Sequence, residues 1–356
     1  MAPCVGAVPG GALMARIVFA MGCSHGPMLA TPPDMWHLRA GADRKNPQHW
    51  FRGEALSYDA LLTARAHEAP RFAEAIEPEA KQARFDACQR ALDTLAERFA
   101  AARPDVVILL GNDQREVFKE DLTPSITVYA GERIENIPLT PAQVERLPPG
   151  VAIAEAGHCP PEGATYPGAP GVADALIRSL CDAHFDVARS ARLPGGDDRQ
   201  HGIPHAFGFL YRRIMRDVPP PSVPIFLNVG VAPNQPRAAR CLDFGHALRA
   251  AIERLPGNMR DMRVAVLASG GMTHFVIDEA LDQRVLSAFA ARDEAALAEI
   301  PEPYFNGNTA EIKSWYPLAA AMHDLDWPMT LVDYVPCYRT EAGTGNAMAF
   351  AYWAPA

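Results

Sequence analysis

VVILLGNDQ, running from Val106 to Gln114, is the stretch that decides how this chain folds. An unbroken aliphatic run stops at Gly111 and hands over to Asn112-Asp113-Gln114. Continuous rather than alternating apolar residues mark a strand covered on both faces. Similar runs occur at Ile17–Gly22 (IVFAMG), Phe185–Ala191, Val223–Val229, Arg263–Ala268, Met329–Val335 and Met348–Trp353. Helical stretches lie between them. The longest spans about Glu54 to Ala102, its rough apolar face carried by Phe72, Ile76, Phe85, Leu92, Leu95 and Phe99, with breaks near Pro70 and Pro78. Others cover Pro236–Leu255, Asp278–Ala291 and Thr309–Met322. Alternating strands and helices predict an α/β fold: one domain over residues 14–356, a mostly parallel central sheet flanked by helices, and a helical insertion at about 54–102. Residues 1–13 are small, apolar and rich in Gly and Pro, without the basic segment of a secretory signal. They read as a disordered extension, and a start at Met1 or at Met14 is left open.

Composition narrows the function. The 356 residues carry 33 basic and 42 acidic side chains, a formal charge of −9, which disfavours a nucleic-acid or anionic-membrane partner. With 49% apolar and 21% charged residues the chain is globular rather than disordered. Its apolar runs are too short to span a bilayer. Seven scattered cysteines without a C-x-x-C pair indicate neither a structural zinc site nor a disulfide framework, and fit a reducing cytoplasm.

Ligands of open α/β sheets bind beyond the carboxyl ends of strands. In this sequence those ends carry Ser24-His25-Gly26-Pro27, Asn112-Asp113-Gln114, His201-Gly202-Ile203-Pro204-His205 and Gly270-Gly271-Met272-Thr273-His274. Each has a plainer reading. A lone histidine after a strand is commonly a structural hydrogen-bonder. For His25, Gly26 and Pro27 favour an exposed tight turn. Near His274, Thr273 could cap a helix beginning at about Phe275. Of His201 and His205 one is read as structural, and His158 as a lid or exposed residue. Glu311, in the first turn of the helix expected from Thr309, reads by itself as dipole compensation. Two histidines and a carboxylate with open positions would suit non-haem Fe(II) chemistry, and related donors serve hydrolytic zinc. No G-x-S-x-G elbow, Walker loop or strand-following G-x-G-x-x-G is present.

SHGPML (Ser24–Leu29), VVILLGNDQ, HGIPHAFGF (His201–Phe209), LASGGMTH (Leu267–His274), TAEIKSW (Thr309–Trp315) and GTGNAMAF (Gly343–Phe350) together resemble the LigB-type catalytic subunit of class III extradiol ring-cleavage dioxygenases. The resemblance extends from Met14 to Trp353. It implies an Fe(II) enzyme that uses O₂ to open a catecholic aromatic acid of the protocatechuate, gallate or methylgallate type beside its two hydroxyls. Carried over by position, His25 and Glu311 are metal ligands, His274 is the acid–base histidine and His201 a second pocket histidine. Thr344, Arg339 and His205 are assigned to substrate.

One position departs from the family. Its second histidine ligand stands in an N-D-H motif, where this chain has Asn112-Asp113-Gln114. Gln114 ligating iron is favoured. Asp113, Glu116 or His158 taking the place, or loss of useful metal affinity, remain alternatives. They lead to two other readings of the chain, a binding protein of this fold without catalytic iron and a zinc hydrolase. The interval from His25 to Gln114 also looks long for the family. The insertion at 54–102 is therefore expected to cover the active site in place of a separate small subunit, in a homodimer.

Overall fold

The computed structural model describes residues 14–196, 199 and 202–355, so the expected extension at 1–13 lies outside them. Nine strands form the main sheet: β1 (Arg16–Cys23), β2 (Val106–Gly111), β3 (Ile126–Tyr129), β4 (Ala188–Ser190), β5 (Ser222–Leu227), β6 (Arg263–Ser269), β7 (His274–Val276), β8 (Met329–Tyr338) and β9 (Thr344–Trp353). Their order is β7-β9-β1-β6-β2-β5-β3-β4, with β8 paired to β9 as well. The central neighbours β1, β6, β2 and β5 are parallel, while β9 runs antiparallel to β1, β7 and β8. The expected α/β architecture is what the chain adopts.

The apolar runs lack alternation because both faces of the sheet are buried. Val106, Ile108 and Leu110 enter one core, whereas Val107 and Leu109 enter the other, as the two-residue period of a strand requires. The first core is closed by the helices Pro170–Asp182, Ala238–Glu253 and Glu279–Ala291. The second lies under the long helix Pro78–Ala102 and the short helix His205–Phe209. No helix among the described residues is long and apolar enough to cross a membrane.

The 54–102 region is not one helix. After a short strand, Glu54–Leu56, it breaks into Tyr58–Ala64, Ala69–Ala75 and Pro78–Ala102. Pro70 and Pro78 stand in the first turns of the last two, where a missing N–H costs nothing. The long helix lays Cys88, Leu92, Leu95 and Phe99 on the outer part of the sheet, with the Phe99 ring 6.3 Å from that of Phe19. The helix expected over Thr309–Met322 splits into a 3₁₀ segment, Gly307–Ser314, and a short α-helix, Tyr316–Ala321. The strand expected at Phe185–Ala191 shrinks to β4 because Phe185 turns into the core, 5.3 Å from Phe244. A separate two-stranded ladder, Arg133–Asn136 with Ala164–Pro167, brackets the intervening residues.

One buried ion pair ties the helix α1 (Trp36–Lys45) to the β8–β9 hairpin. Asp43 accepts from Arg339 Nε (2.9 Å) and Nη2 (3.2 Å) and from the Thr344 hydroxyl (2.7 Å). Asp43→Asn leaves the Arg339 guanidinium buried without its counter-charge, and should destabilise the chain by about 3–5 kcal/mol in denaturant unfolding.

Candidate active site

The carboxyl ends of β1, β2 and β6 open on a cavity of about 460 Å³. β1 delivers His25, β2 delivers Gln114, and the turn after β6 delivers Gly271 and His274. Glu311 enters from the 3₁₀ segment Gly307–Ser314 rather than from the first turn of an α-helix. These side chains are remote in sequence and meet in space. His25 Nε2 lies 3.4 Å from Glu311 Oε2 and 3.4 Å from the Gln114 amide nitrogen. The same carboxamide is in close contact with Glu311 Oε1. His274 Nε2 is 3.6 Å from Glu311 Oε2.

His25 is buried, not on an exposed turn. Its Nδ1 is 2.9 Å from the Ser269 hydroxyl, which itself donates to the Ala206 carbonyl (2.5 Å). Because that hydroxyl proton is committed, Ser269 accepts from Nδ1–H and leaves a lone pair on Nε2, facing Glu311 and Gln114. Burial is the main force that lowers the His25 pKa to about 4, which keeps the ring neutral. Burial would raise the Glu311 pKa, yet His25, His274 and the Gly271 N–H (3.0 Å) outweigh it and bring it down to about 2. For His274 burial opposes protonation, but Glu311 and the Met272 carbonyl, 2.7 Å from Nδ1, hold its pKa above the usual range.

Gly270 and Gly271 are required by this arrangement. A Cβ on Gly270 would stand 2.5 Å from the Glu311 carbonyl oxygen, and one on Gly271 would stand 2.8 Å from the His274 ring. Thr273 does not cap a helix start at Phe275. It hydrogen-bonds Asp282 (2.7 Å), and His274 opens a strand.

Of the alternatives to Gln114, two are otherwise engaged. Asp113 accepts from the Val117 and Phe118 N–H groups (3.0 and 2.9 Å) and so fixes its own loop. Glu116 accepts from the His205 N–H (2.9 Å) and pairs with its ring. His158 does line the cavity, with its ring 5.7 Å from that of His205. Gln114 and Arg115 hold left-handed φ values of 51° and 62°, which turn the loop under the cavity. Among the described residues no three His, Cys, Asp or Glu side chains are gathered to hold a metal ion.

The cover and two substrate residues differ from expectation. None of residues 54–102 lines the cavity. Its outer wall comes from residues 139–158, including Leu139, Gln143, Leu147, Val151 and His158, on the excursion bracketed by the Arg133–Asn136 ladder. This segment reads as a Pro-rich loop because its helices are only a turn or so long. Arg339 and Thr344 are not on the wall either, being consumed by Asp43. Arg339 instead supports the wall from behind, donating to Asn346 Oδ1 (2.7 Å). His205 does line the wall, while His201 lies outside the described residues. Two contributors escaped the sequence reading: Ser269, which sets the His25 tautomer, and Arg39, which lines the cavity from α1. The signal for Arg39 was the spacing Trp36, Arg39, Ala40, Asp43, a charged pair on the buried face of a helix.

The chain belongs to the LigB family: the model of the catalytic LigB subunit of aromatic ring-opening dioxygenase matches residues 63–344. It is similar to the 2,3-dihydroxyphenylpropionate/2,3-dihydroxicinnamic acid 1,2-dioxygenase of Comamonas testosteroni, with 29% identity over 171 residues. That match takes in 48% of this chain and 43% of the relative, so the chain spans less than half the length of that curated protein. Among solved structures, an uncharacterized protein JW3007 from Escherichia coli K12 aligns with a TM-score of 0.46 and 16% identity, over 94% of this chain and 99% of that one.

Glu116 is the main cause of a raised His205 pKa, against the lowering effect of burial. Glu116→Gln removes the negative charge and should move the His205 titration midpoint down, as read by NMR of the imidazole protons.

Proposed function

We propose that this chain is a metal-dependent extradiol dioxygenase that opens the ring of a catecholic aromatic acid with O₂, with Fe(II) as its ion. The observation that carries this reading is the meeting of His25, Gln114 and Glu311 within about one ligand-sphere of each other, at the strand ends of a LigB-family chain. The donors suit a divalent ion: a neutral imidazole with its lone pair directed inward, an ionised carboxylate and, with its amide turned so that the oxygen replaces Nε2, the Gln114 carboxamide. The dioxygenase activity of the Comamonas relative supports the same reaction class.

His25, Glu311 and Gln114 would hold the ion, which supplies Lewis acidity toward a catechol hydroxyl and a site for O₂. His274 is placed to move protons. Its Nδ1 is fixed on the Met272 carbonyl and its Nε2 looks onto the cavity beside Glu311, whose charge favours the protonated imidazole. His201 is proposed as a second pocket histidine on its sequence motif. The wall of residues 139–158 stands opposite these groups across the cavity. A cover supplied by the same chain supports a unit that needs no separate small subunit, and a homodimer in a reducing cytoplasm is the proposed setting.

The second reading, a ligand-binding protein without catalytic iron, is favoured only by Gln114, a neutral and weaker donor than imidazole. Anaerobic purification followed by metal analysis and oxygen uptake on 3,4-dihydroxybenzoate separates the two. Stoichiometric iron with uptake is expected, whereas a metal-free chain that binds the catechol without consuming O₂ would establish the second reading, and bound zinc with hydrolytic activity would establish a hydrolase. His274→Ala should retain iron while turnover falls by roughly 10²-fold or more, the scale of lost acid–base catalysis. Gln114→His should bind Fe(II) more tightly than the natural chain in a chelator competition, and Gln114→Ala more weakly.

A further inference from the structure

Arg39 is 8% exposed, and its Nε and Nη1 have no hydrogen-bond partner among the described residues, although both atoms are buried. A guanidinium withdrawn from water without replacement partners is costly. The obvious counter-ion is taken, since Asp43 spends both oxygens on Arg339 and Thr344. Two guanidiniums thus share one carboxylate, and the cluster keeps one positive charge in excess. Both stand over the Phe275 ring, Arg39 at 5.7 Å and Arg339 at 5.3 Å, and Phe275 follows His274 in the cavity wall. Across from them the cover presses on the Arg39 stem, with Gly150 placed so that a Cβ would lie 3.3 Å from Arg39 Cδ. The side chain packs under the cover and lines the cavity beside Phe275.

The other cations of the wall differ from it. Arg115 pairs with Glu120 and Arg199 with Asp121, Arg146 is exposed and Lys119 half-exposed. Water or a carboxylate already serves them.

We propose that Arg39 is the specificity-determining anchor for a substrate carboxylate, received by its guanidinium where the side chain lines the cavity beside Phe275. This rests on the ring-opening reading for the identity of the substrate, though not for the existence of an anion site. The planar fork of a guanidinium suits a carboxylate bidentately, and Phe275 offers an aromatic face between that fork and His274. The bound anion would cancel the excess charge of the Arg39–Arg339–Asp43 cluster. Empty, the cluster costs stability that the ligand returns.

The test uses the full chain and Arg39→Met and Arg39→Lys variants. In oxygen uptake, Arg39→Met should lower kcat/KM for 3,4-dihydroxybenzoate by about 10- to 100-fold more than kcat/KM for unsubstituted catechol, the scale of a lost charge-assisted hydrogen bond. Arg39→Lys should recover part of the loss. Thermal unfolding of ligand-free Arg39→Met should occur at or above the natural temperature, because an uncompensated charge has been removed. Marked destabilisation would assign Arg39 to the framework and overturn the proposal. So would an unchanged ratio of acid to catechol. Calorimetry with benzoate and benzyl alcohol needs no turnover: the natural chain should prefer benzoate and Arg39→Met should not. Absence of that preference in the natural chain, or its survival in the variant, overturns the anchor whatever the variant's fold. If no catechol is consumed but benzoate binding depends on Arg39, the anchor stands and the ring-opening reading falls.

Discussion

A single buried carboxylate organises the catalytic end of this molecule. Glu311 is 2% exposed and must be satisfied from within. Its partners come from three separate strand ends: the Gly271 N–H, His25 and His274 imidazoles, and the Gln114 carboxamide. The requirement propagates outward. The glycine pair after β6 exists because nothing larger fits between that turn, the Glu311 backbone and the His274 ring. Trp315, just after the 3₁₀ segment, donates to the Gly270 carbonyl (3.0 Å) and fastens the segment to the same turn. The parallel order β1-β6-β2 then becomes a positioning device, since adjacent strands bring their ends to one side.

The cavity is electrically two-sided. On one side stand Glu311 and its neutral histidine neighbour His25. Beyond Phe275 stand two guanidiniums sharing one carboxylate. An aromatic acid with adjacent hydroxyls has matching poles, a chelating edge and an anionic substituent. His274 lies between the two regions, adjacent in sequence to the aromatic residue that separates them. Binding energy collected at the anionic end can thus orient the reacting end, a use of remote contacts that favours turnover over mere retention.

Much of this was legible in the sequence, for physical reasons. Doubly covered strands write themselves as continuous apolar runs, and strand ends advertise themselves by glycine followed by polar groups. His25, Gln114, His274 and Glu311 were all found that way or through the family's motifs, and the structure brings them together. What escaped depends on pairing over long sequence distances. Arg339 and Asp43 stand 296 residues apart, and nothing local in either announces that each consumes the other. Arg39 became significant only once Asp43 was known to be taken. The cover was missed because its pieces are too short to carry a period, whereas the long periodic stretch at 54–102 drew the assignment and proved to be sheet packing.

The excursion carrying the outer wall is clasped at its base by the Arg133–Asn136 and Ala164–Pro167 ladder, and it contributes no strand to the nine-stranded sheet. Loops tied off in this way tolerate change in length and composition at little thermodynamic cost. Donor residues at the strand ends and the wall opposite them are consequently encoded on separable parts of the chain. Natural variation can therefore reshape the wall without disturbing the side chains at the strand ends, and a laboratory graft of residues 137–163 between relatives is the corresponding engineering unit.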